Sequence, residues 1–178
     1  MASRRNLAAA QPLVAAGVRV VADAHDIVID NQVDVVVELI GGTTLARELV
    51  LQAIANGKHV VTANKALLAL HGTEIFDAAN TSGVVVAFEA AVAGGIPIIK
   101  ALREGLAANR VEWVAGIING TTNFILSEMR SKGLDFSSAL KAAQELGYAE
   151  SDPTFDIEGV DAAHKLALMS AIAFGVPV

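Results

Sequence analysis

The chain has 178 residues, of which 53% are hydrophobic and 18% charged, enough apolar sequence for one domain or a large piece of one. Its formal net charge of -6 argues against nucleic acid or an anionic membrane as a partner. The absence of cysteine excludes disulfides and thiolate metal sites. No apolar run reaches membrane-spanning length and the first residues lack a signal-peptide core, so the expected location is the cytoplasm.

The first half of the chain alternates short apolar runs with helical patterns. Strands are predicted at residues 18–22, 33–40, 59–63 and 84–88, and helices at residues 45–55, 66–70 and 73–79. A polar turn is predicted around residues 23–26, and Thr44 is positioned to cap the helix that follows it. Short β-branched runs in strand–helix–strand order are typical of buried strands joined by right-handed crossovers, so the fold class is α/β with a parallel sheet.

Ligands of a parallel sheet lie beyond the carboxyl ends of its strands. Here those ends carry Gly41-Gly42, Asn64-Lys65 and Glu89. The two glycines let the backbone come close to a ligand. Ordinary turn chemistry would also explain two of the three, so the pattern by itself leaves both interpretations open.

The second half begins with a loop of small residues from Glu89 to Pro97. Its carbonyls can ligate a monovalent cation, although the start of a helix at Pro97 would also explain its glycines. That helix is predicted to run to about residue 105, followed by a strand at residues 111–118 and helices at residues 135–146 and 162–174. The turn at residues 119–123 has N–H groups that suit a carboxylate, with plain helix capping as the favoured alternative.

The most distinctive stretch is residues 147–165, which contain five acidic side chains and a single lysine, Lys165. Pro153 interrupts a helix and Gly159 precedes an apolar run, so these acids are predicted on a loop that leads into a helix. Asp161 and Lys165 are four residues apart and therefore share one helical face. A lysine beside carboxylates can shuttle a proton or fix the polar groups of an amino acid. The favoured alternative is a solvated acidic loop with one surface salt bridge.

Two features of a complete dinucleotide-binding domain are missing. No GxGxxG turn follows an opening strand, and no strand follows the last helix, so we expect an interior piece of a longer enzyme. Residues 3–5, which include Arg4, form a basic tip of the kind that a nucleotide 2′-phosphate requires. An ordinary charged terminus is the favoured interpretation of that tip.

Five segments resemble homoserine dehydrogenase in sequence, order and spacing. They read VDVVVELIGG, GKHVVTANKALLA, FEAAVAGGIPIIKALREGL, GIINGTTNFIL and LGYAESDPTFDIEGVDAAHKLA, at residues 33–42, 57–69, 88–106, 116–126 and 146–167. Before residue 33 the match is loose, and the family's first strand, later catalytic segment and C-terminal regulatory domain are missing. The resemblance implies a partial Rossmann-like dinucleotide-binding domain over residues 1–92. An incomplete α+β domain for substrate binding and dimerisation is implied over residues 93–178.

The resemblance also implies a reaction and its residues. The family interconverts L-homoserine and L-aspartate 4-semialdehyde with NADP or NAD, on the route to threonine, methionine and isoleucine. The lysine that matches Lys165 is the expected proton donor, and the one that matches Lys65 lies beside nicotinamide and substrate and shares that role. Substrate contacts are implied for Glu150, Asp161, Asp156, Tyr148, Gly120 and Thr121. Cofactor contacts are implied for Gly41, Lys65, Gly147 and Arg4, and a sodium site for the backbone around Glu89, Val92, Gly94 and Ile96.

Two alternatives and one further partner follow from the same residues. Without a glycine-rich turn the chain could be a catalytically incomplete fragment that serves as a binding or assembly module. A related dehydrogenase for another small amino or hydroxy acid is disfavoured by residues 147–153 together with Lys165. A homo-oligomer is expected, because the family dimerises through its substrate region and the apolar helix at residues 162–174 would otherwise be exposed.

Overall fold

Residues 17–178 are described by a computed structural model. Arg4 and the basic tip at residues 3–5 therefore lie outside the described residues. The chain divides into two compact units, the first ending at Gly95 and including Pro177–Val178, the second comprising Ile96–Val176. Among the described residues, no helix combines the length and the apolar character that crossing a membrane requires.

The first unit is built on a three-stranded parallel sheet. Its strands are β1 (Val35–Glu38), β2 (His59–Thr62) and β3 (Val86–Ala87), in the order β1-β2-β3. Val60 on the middle strand lies opposite Val36 of β1 and Val86 of β3. The predicted parallel sheet is confirmed, although each strand is shorter than its apolar run because the pairing ends before the run does.

Three helices accompany the sheet, namely α1 (His25–Val28), α2 (Leu45–Ala55) and α3 (Lys65–Ser82). Helix α2 has the predicted bounds and packs on β1, β2 and α3. The two helical patterns predicted at residues 66–70 and 73–79 form the single helix α3. Gly72, which lies between the two patterns, is helical, and a Cβ there would lie 3.1 Å from the Cβ of Val178. This glycine therefore makes room for packing and does not end the helix.

Only one face of the sheet is covered by the described residues. Val36 and Val60 are buried, whereas Val35 and Val37 are 47% and 60% exposed. The prediction of a strand buried on both faces is therefore wrong for β1 within residues 17–178. An open groove of about 600 Å³ runs beside β1, with Val35, Val37, Leu39 and Ile40 in its lining.

Three further expectations for the first unit are wrong. Only Val21 of residues 18–22 has β-bridge pairing, so no strand forms there. The predicted polar turn contains the one-turn helix α1, which starts at His25 because the Asp23 carboxylate accepts its backbone N–H at 2.9 Å. Thr44 precedes α2 but makes no capping hydrogen bond with its side chain.

The second unit is mostly helical. Helix α4 (Ile98–Lys100) continues into a π-helical turn at Ala101–Gly105, and α5 (Gly120–Lys132), α6 (Phe136–Glu145), α7 (Thr154–Ile157) and α8 (Val160–Phe174) follow. Asn119 and Asp135 cap α5 and α6, each accepting the backbone N–H three residues on. Helices α5 and α6 pack together around a small buried cluster of Ile125, Ala139, Ala143 and Ala149.

The strand predicted at residues 111–118 does not form among the described residues. These residues have no regular structure, and Trp113 and Ile117 are 73% and 77% exposed. An apolar run becomes a strand only where a neighbouring strand accepts its backbone hydrogen bonds, and the described part of this unit offers none.

Candidate functional site

At the carboxyl ends of β1 and β2, a buried carboxylate organises the glycine turn. Glu38 is 4% exposed, and its Oε1 accepts the backbone N–H groups of Ile40 and Gly41 at 2.8 and 3.1 Å. Its Oε2 accepts the hydroxyl of Thr62 at 2.6 Å. The sequence analysis missed Glu38, although an acidic residue at the end of an apolar strand was a usable signal because such a group must be hydrogen-bonded when buried.

Asn64 ties the same turn to the start of α3. Its Oδ1 accepts the N–H of Leu67 at 3.1 Å, as a helix cap should, and its Nδ2 donates to the carbonyl of Gly42 at 2.7 Å. Lys65 is the first residue of α3 and is half-buried. Gly41 has a φ of 71°, and no atom lies within 4 Å of the position that a Cβ would occupy. The turn is therefore fixed by hydrogen bonds to Glu38 and Asn64 but open on the side that a Gly41 side chain would occupy.

The residues implied in a sodium site are divided between the units. Glu89 begins a 3₁₀ turn (Glu89–Ala91), and its carbonyl accepts the N–H of Val92 at 3.3 Å. Gly94 has a positive φ of 59° in the same unit. Ile96 belongs to the second unit, where its carbonyl accepts the N–H of Ile98 at 2.8 Å. A carbonyl oxygen has two lone pairs, so a carbonyl that accepts one hydrogen bond can in general also ligate a cation.

In the second unit, Lys165 and Asp161 form a largely buried ion pair on α8. The Lys165 Nζ lies 2.7 Å from Asp161 Oδ2, and the two side chains are 18% and 7% exposed. A second donor of the ammonium reaches the carbonyl of Ile118 at 2.7 Å. The favoured alternative of a surface salt bridge is therefore wrong for this pair, although Glu150, Asp152 and Glu158 are exposed as that alternative expected.

An ammonium group has three N–H donors, and two of those on Lys165 are used. Within residues 17–178, the third N–H of Lys165 has no protein acceptor. An ammonium held by two fixed partners with one donor left over can bind and protonate an oxygen brought to it.

Asn119 connects this pair to a second carboxylate. Its Nδ2 donates to Asp161 Oδ2 at 2.9 Å and to Asp156 Oδ1 at 2.7 Å, while its Oδ1 accepts the N–H of Thr122 at 2.8 Å. The sequence analysis placed Asn119 in a capping turn and missed its contact with the acids. The contact joins residues 37 and 42 positions apart, so no local pattern signals it.

The remaining implied substrate residues lie around the start of α5. Thr121 is buried, and its hydroxyl donates to the carbonyl of Tyr148 at 2.6 Å. The exposed Tyr148 ring packs 4.9 Å from that of Phe124. Gly120 is the first residue of α5 and is exposed with open space around it.

Two implied residues are not part of the buried network. The Glu150 side chain is exposed, and only its backbone carbonyl has a described contact, with Gln144 Nε2 at 3.1 Å. Gly147 is exposed with a φ of 76° just after α6. Nearby, the hydroxyl and backbone N–H of Thr154 donate to Asp152, which lowers the pKa of that carboxyl and attaches it to the start of α7.

A parallel sheet with glycines and polar side chains at its strand ends is typical of the class of dinucleotide-binding enzymes. Residues 1–89 match the family model described as "Homoserine dehydrogenase, NAD binding domain", and residues 97–178 match the one described as "Homoserine dehydrogenase". The chain therefore belongs to the homoserine dehydrogenase family.

Individual relatives agree with the family models. The chain is 69% identical over 159 residues to a homoserine dehydrogenase of Pseudomonas aeruginosa, covering 89% of this chain and 37% of that protein. A crystal structure of a homoserine dehydrogenase from Thiobacillus denitrificans has a TM-score of 0.91 and 69% identity, covering 97% of this chain and 40% of that one. A hyperthermophilic archaeal homoserine dehydrogenase in complex with NADPH has a TM-score of 0.79 and 31% identity, covering 87% and 48%. The chain thus spans 37% to 48% of the length of these relatives, less than half in each case.

Proposed function

We propose that this chain takes part in the oxidation and reduction of L-homoserine and L-aspartate 4-semialdehyde with NADP or NAD. The observation that carries the proposal is the partly buried ammonium of Lys165, which is fixed by Asp161 and the carbonyl of Ile118 and has one N–H without an acceptor among residues 17–178. Family membership supplies the substrate class and the nicotinamide cofactor.

Lys165 is proposed as the group that handles the proton at the substrate oxygen. Negative charge develops on a carbonyl oxygen as its carbon is reduced, and the third N–H of Lys165 would stabilise that charge and then transfer the proton. Asp161 keeps the ammonium in place, because its carboxylate is 2.7 Å away and almost fully buried. Lys65 is proposed to share this acid–base role.

The substrate would be held by the groups around Lys165. An amino acid presents an ammonium, and the carboxylates of Asp161, Asp156 and Glu150 are proposed to receive it. Gly120 and Thr121 begin α5, and the first N–H groups of a helix, which have no acceptor within that helix, suit the substrate carboxylate. Tyr148 is proposed to line the same site.

The cofactor would be contacted by Gly41, Lys65, Gly147 and Arg4. A nicotinamide cofactor, when bound, would accept the hydride in the oxidation of homoserine and supply it in the reduction of the semialdehyde. The turn that contains Gly41 fits such a group, because Gly41 is exposed, carries no side chain and is fixed by its hydrogen bond to Glu38. The relative in complex with NADPH supports NADP, while the family description allows NAD. Sodium binding by the carbonyls of Glu89, Val92, Gly94 and Ile96 is proposed on the strength of family membership.

Domain boundaries, assembly and location belong to the same proposal. We assign residues 1–92 to cofactor binding and residues 93–178 to substrate binding and dimerisation. A homo-oligomer is supported by exposed apolar side chains of the second unit, among them Trp113 and Ile117. The cytoplasm stays the expected location.

The test is homoserine oxidation by the purified 178-residue chain, followed by nicotinamide absorbance with NADP and with NAD. Lys165→Met should lower kcat/KM by about a hundredfold or more, because a positioned acid contributes at least that much. Lys141→Met is the matched control, since Lys141 lies in the same unit but its side chain is 77% exposed. Circular dichroism establishes that each variant is folded.

Turnover that survives Lys165→Met would refute the proposed role of Lys165. A folded wild-type chain without turnover would refute the proposed activity of this chain. That second outcome favours the other candidate, a binding or assembly module, which the coverage of 37% of the Pseudomonas aeruginosa relative supports. Binding of NADPH or self-association without turnover would be the signature of such a module.

A further inference from the structure

The side-chain amide of Asn119 is fully engaged on both of its ends. Asn119 is 8% exposed and sits at the N-cap of α5, where its Oδ1 accepts both the N–H and the hydroxyl of Thr122 at 2.8 Å. Its Nδ2 uses its two hydrogens on two different carboxylates, those of Asp156 and Asp161. A helix cap requires only the oxygen, so the nitrogen end has a separate purpose.

The nitrogen end joins groups that would otherwise repel one another. Asp156 and Asp161 bring two carboxylates to one NH₂ group, and the ammonium of Lys165 contacts Asp161. Asp156 lies on α7, a helix of only four residues whose own hydrogen bonds cannot hold it in place. The Asn119 amide therefore ties this short helix to the start of α5.

We propose that Asn119 is a positioning residue that fixes both carboxylates and, through Asp161, the ammonium of Lys165. The inference rests on the proposed function, because it concerns the orientation of the proposed proton donor. Asn119 acts through Asp161 and not on the substrate itself. Its loss should therefore loosen Lys165 and α7 together, while helix α5 stays capped by any residue that keeps an oxygen acceptor.

The capping role and the cross-linking role can be separated by substitution. Asn119→Ser keeps a capping oxygen and removes both amide N–H donors. Asn119→Asp keeps the cap and places a third carboxylate beside the other two. Asp135→Ser is the matched control, because Asp135 caps α6 through Ser138 in the same way and contacts neither α7 nor Lys165.

Backbone hydrogen exchange measures the tie to α7 without any need for activity. The amides of Asp156, Ile157 and Glu158 bond to the carbonyls of Pro153 and Thr154 at 2.9 to 3.0 Å. In Asn119→Ser these amides should exchange about tenfold faster or more, because α7 loses the hydrogen bond from Asn119 to the charged carboxylate of Asp156 that holds it in place. Asn119→Asp should do the same, and Asp135→Ser should leave these amides unchanged.

Labelling of lysines with an amine-acylating reagent, read by peptide mass spectrometry, measures the position of Lys165 directly. In Asn119→Ser, Lys165 should react roughly threefold faster or more relative to the exposed Lys141 in the same sample. Faster exchange in α7 with unchanged labelling of Lys165 would mean that Asn119 is only structural, and would overturn the inference. Unchanged exchange and unchanged labelling would overturn it as well.

Kinetics then distinguish this inference from the proposed function. Where the wild-type chain turns over, Asn119→Ser should lower kcat by about tenfold while the KM for the cofactor stays the same, because Lys165 and its neighbouring carboxylates are misplaced and the proposed cofactor contacts are not. Equal kcat in Asn119→Ser and Asp135→Ser would refute the positioning role. Where the folded wild-type chain is inactive, the proposed function fails for this chain, and the labelling result alone decides whether Asn119 positions Lys165.

Discussion

The buried hydrogen bond between Glu38 and Thr62 gives the sharpest test of how the glycine turn is held. Thr62 Oγ1 donates to Glu38 Oε2 at 2.6 Å and accepts the N–H of Asn64 at 3.0 Å, and Thr62 is only 1% exposed. We consider Thr62→Val and Glu38→Gln, singly and together. Both changes preserve size closely, so cavity formation contributes little.

The expected magnitudes follow from the donors and acceptors that each change leaves unpaired. Thr62→Val removes the hydrogen bond to the charged Glu38 carboxylate and leaves the buried N–H of Asn64 without its acceptor. Together these losses should lower the free energy of unfolding by about 2–4 kcal/mol. Glu38→Gln should cost only about 1–2 kcal/mol, because an amide oxygen still accepts from Ile40 and Gly41. Since the two changes remove one shared bond, the double variant should lose less than the sum by about 1–2 kcal/mol.

Urea unfolding followed by circular dichroism measures these differences. Methyl NMR must assign them to the first unit, because the single tryptophan, Trp113, reports on the second. Thr81→Val is the control, since the hydroxyl of Thr81 makes an exposed bond to the carbonyl of Asp77 and its loss should be nearly neutral. Strictly additive losses from the two single changes would refute the reasoning, as would a cost for Thr62→Val no larger than that of the control.

Two further predictions concern stability elsewhere. His25 donates to Asp23 and Glu48, and these hydrogen bonds, that of Asp23 first, raise the pKa of His25 above its ordinary 6.5. A group whose pKa is raised in the folded state stabilises the fold fully at a pH below its unfolded-state pKa. This stabilisation is lost as the pH rises through its folded-state pKa. The stability difference between wild type and His25→Asn in urea should therefore shrink from about pH 6 to pH 9, and a constant difference would contradict it. Gly83→Ala should cost about 1 kcal/mol, because Gly83 ends α3 with a φ of 67°, whereas Gly105→Ala, in open space at ordinary φ, should be neutral in the same titration.

The regular elements near strong local signals were predictable. Helix α2 has the expected bounds because an apolar stripe stops at Asn56-Gly57, and Gly57 adopts the positive φ that ends it. The capping turn before α5 and the helix after Asp135 formed as predicted, since a side-chain oxygen three residues ahead of a backbone N–H is a local arrangement. The strands at residues 18–22 and 111–118 failed because a strand depends on a partner that its own sequence does not contain.

The sequence by itself determined the parallel sheet, most of the helices, the family and the shared helical face of Asp161 and Lys165. These depend on periodicity, on turn residues and on motifs that lie within a few positions of one another. The tertiary structure alone decided that this ion pair is buried, that the Ile118 carbonyl 47 residues earlier completes it, and that Asn119 joins it to Asp156. It also decided that Glu38 supports the glycine turn through Thr62. Burial and hydrogen bonding between distant residues arise only when the chain packs, because local sequence specifies which groups a residue carries but not which groups will exclude water from it.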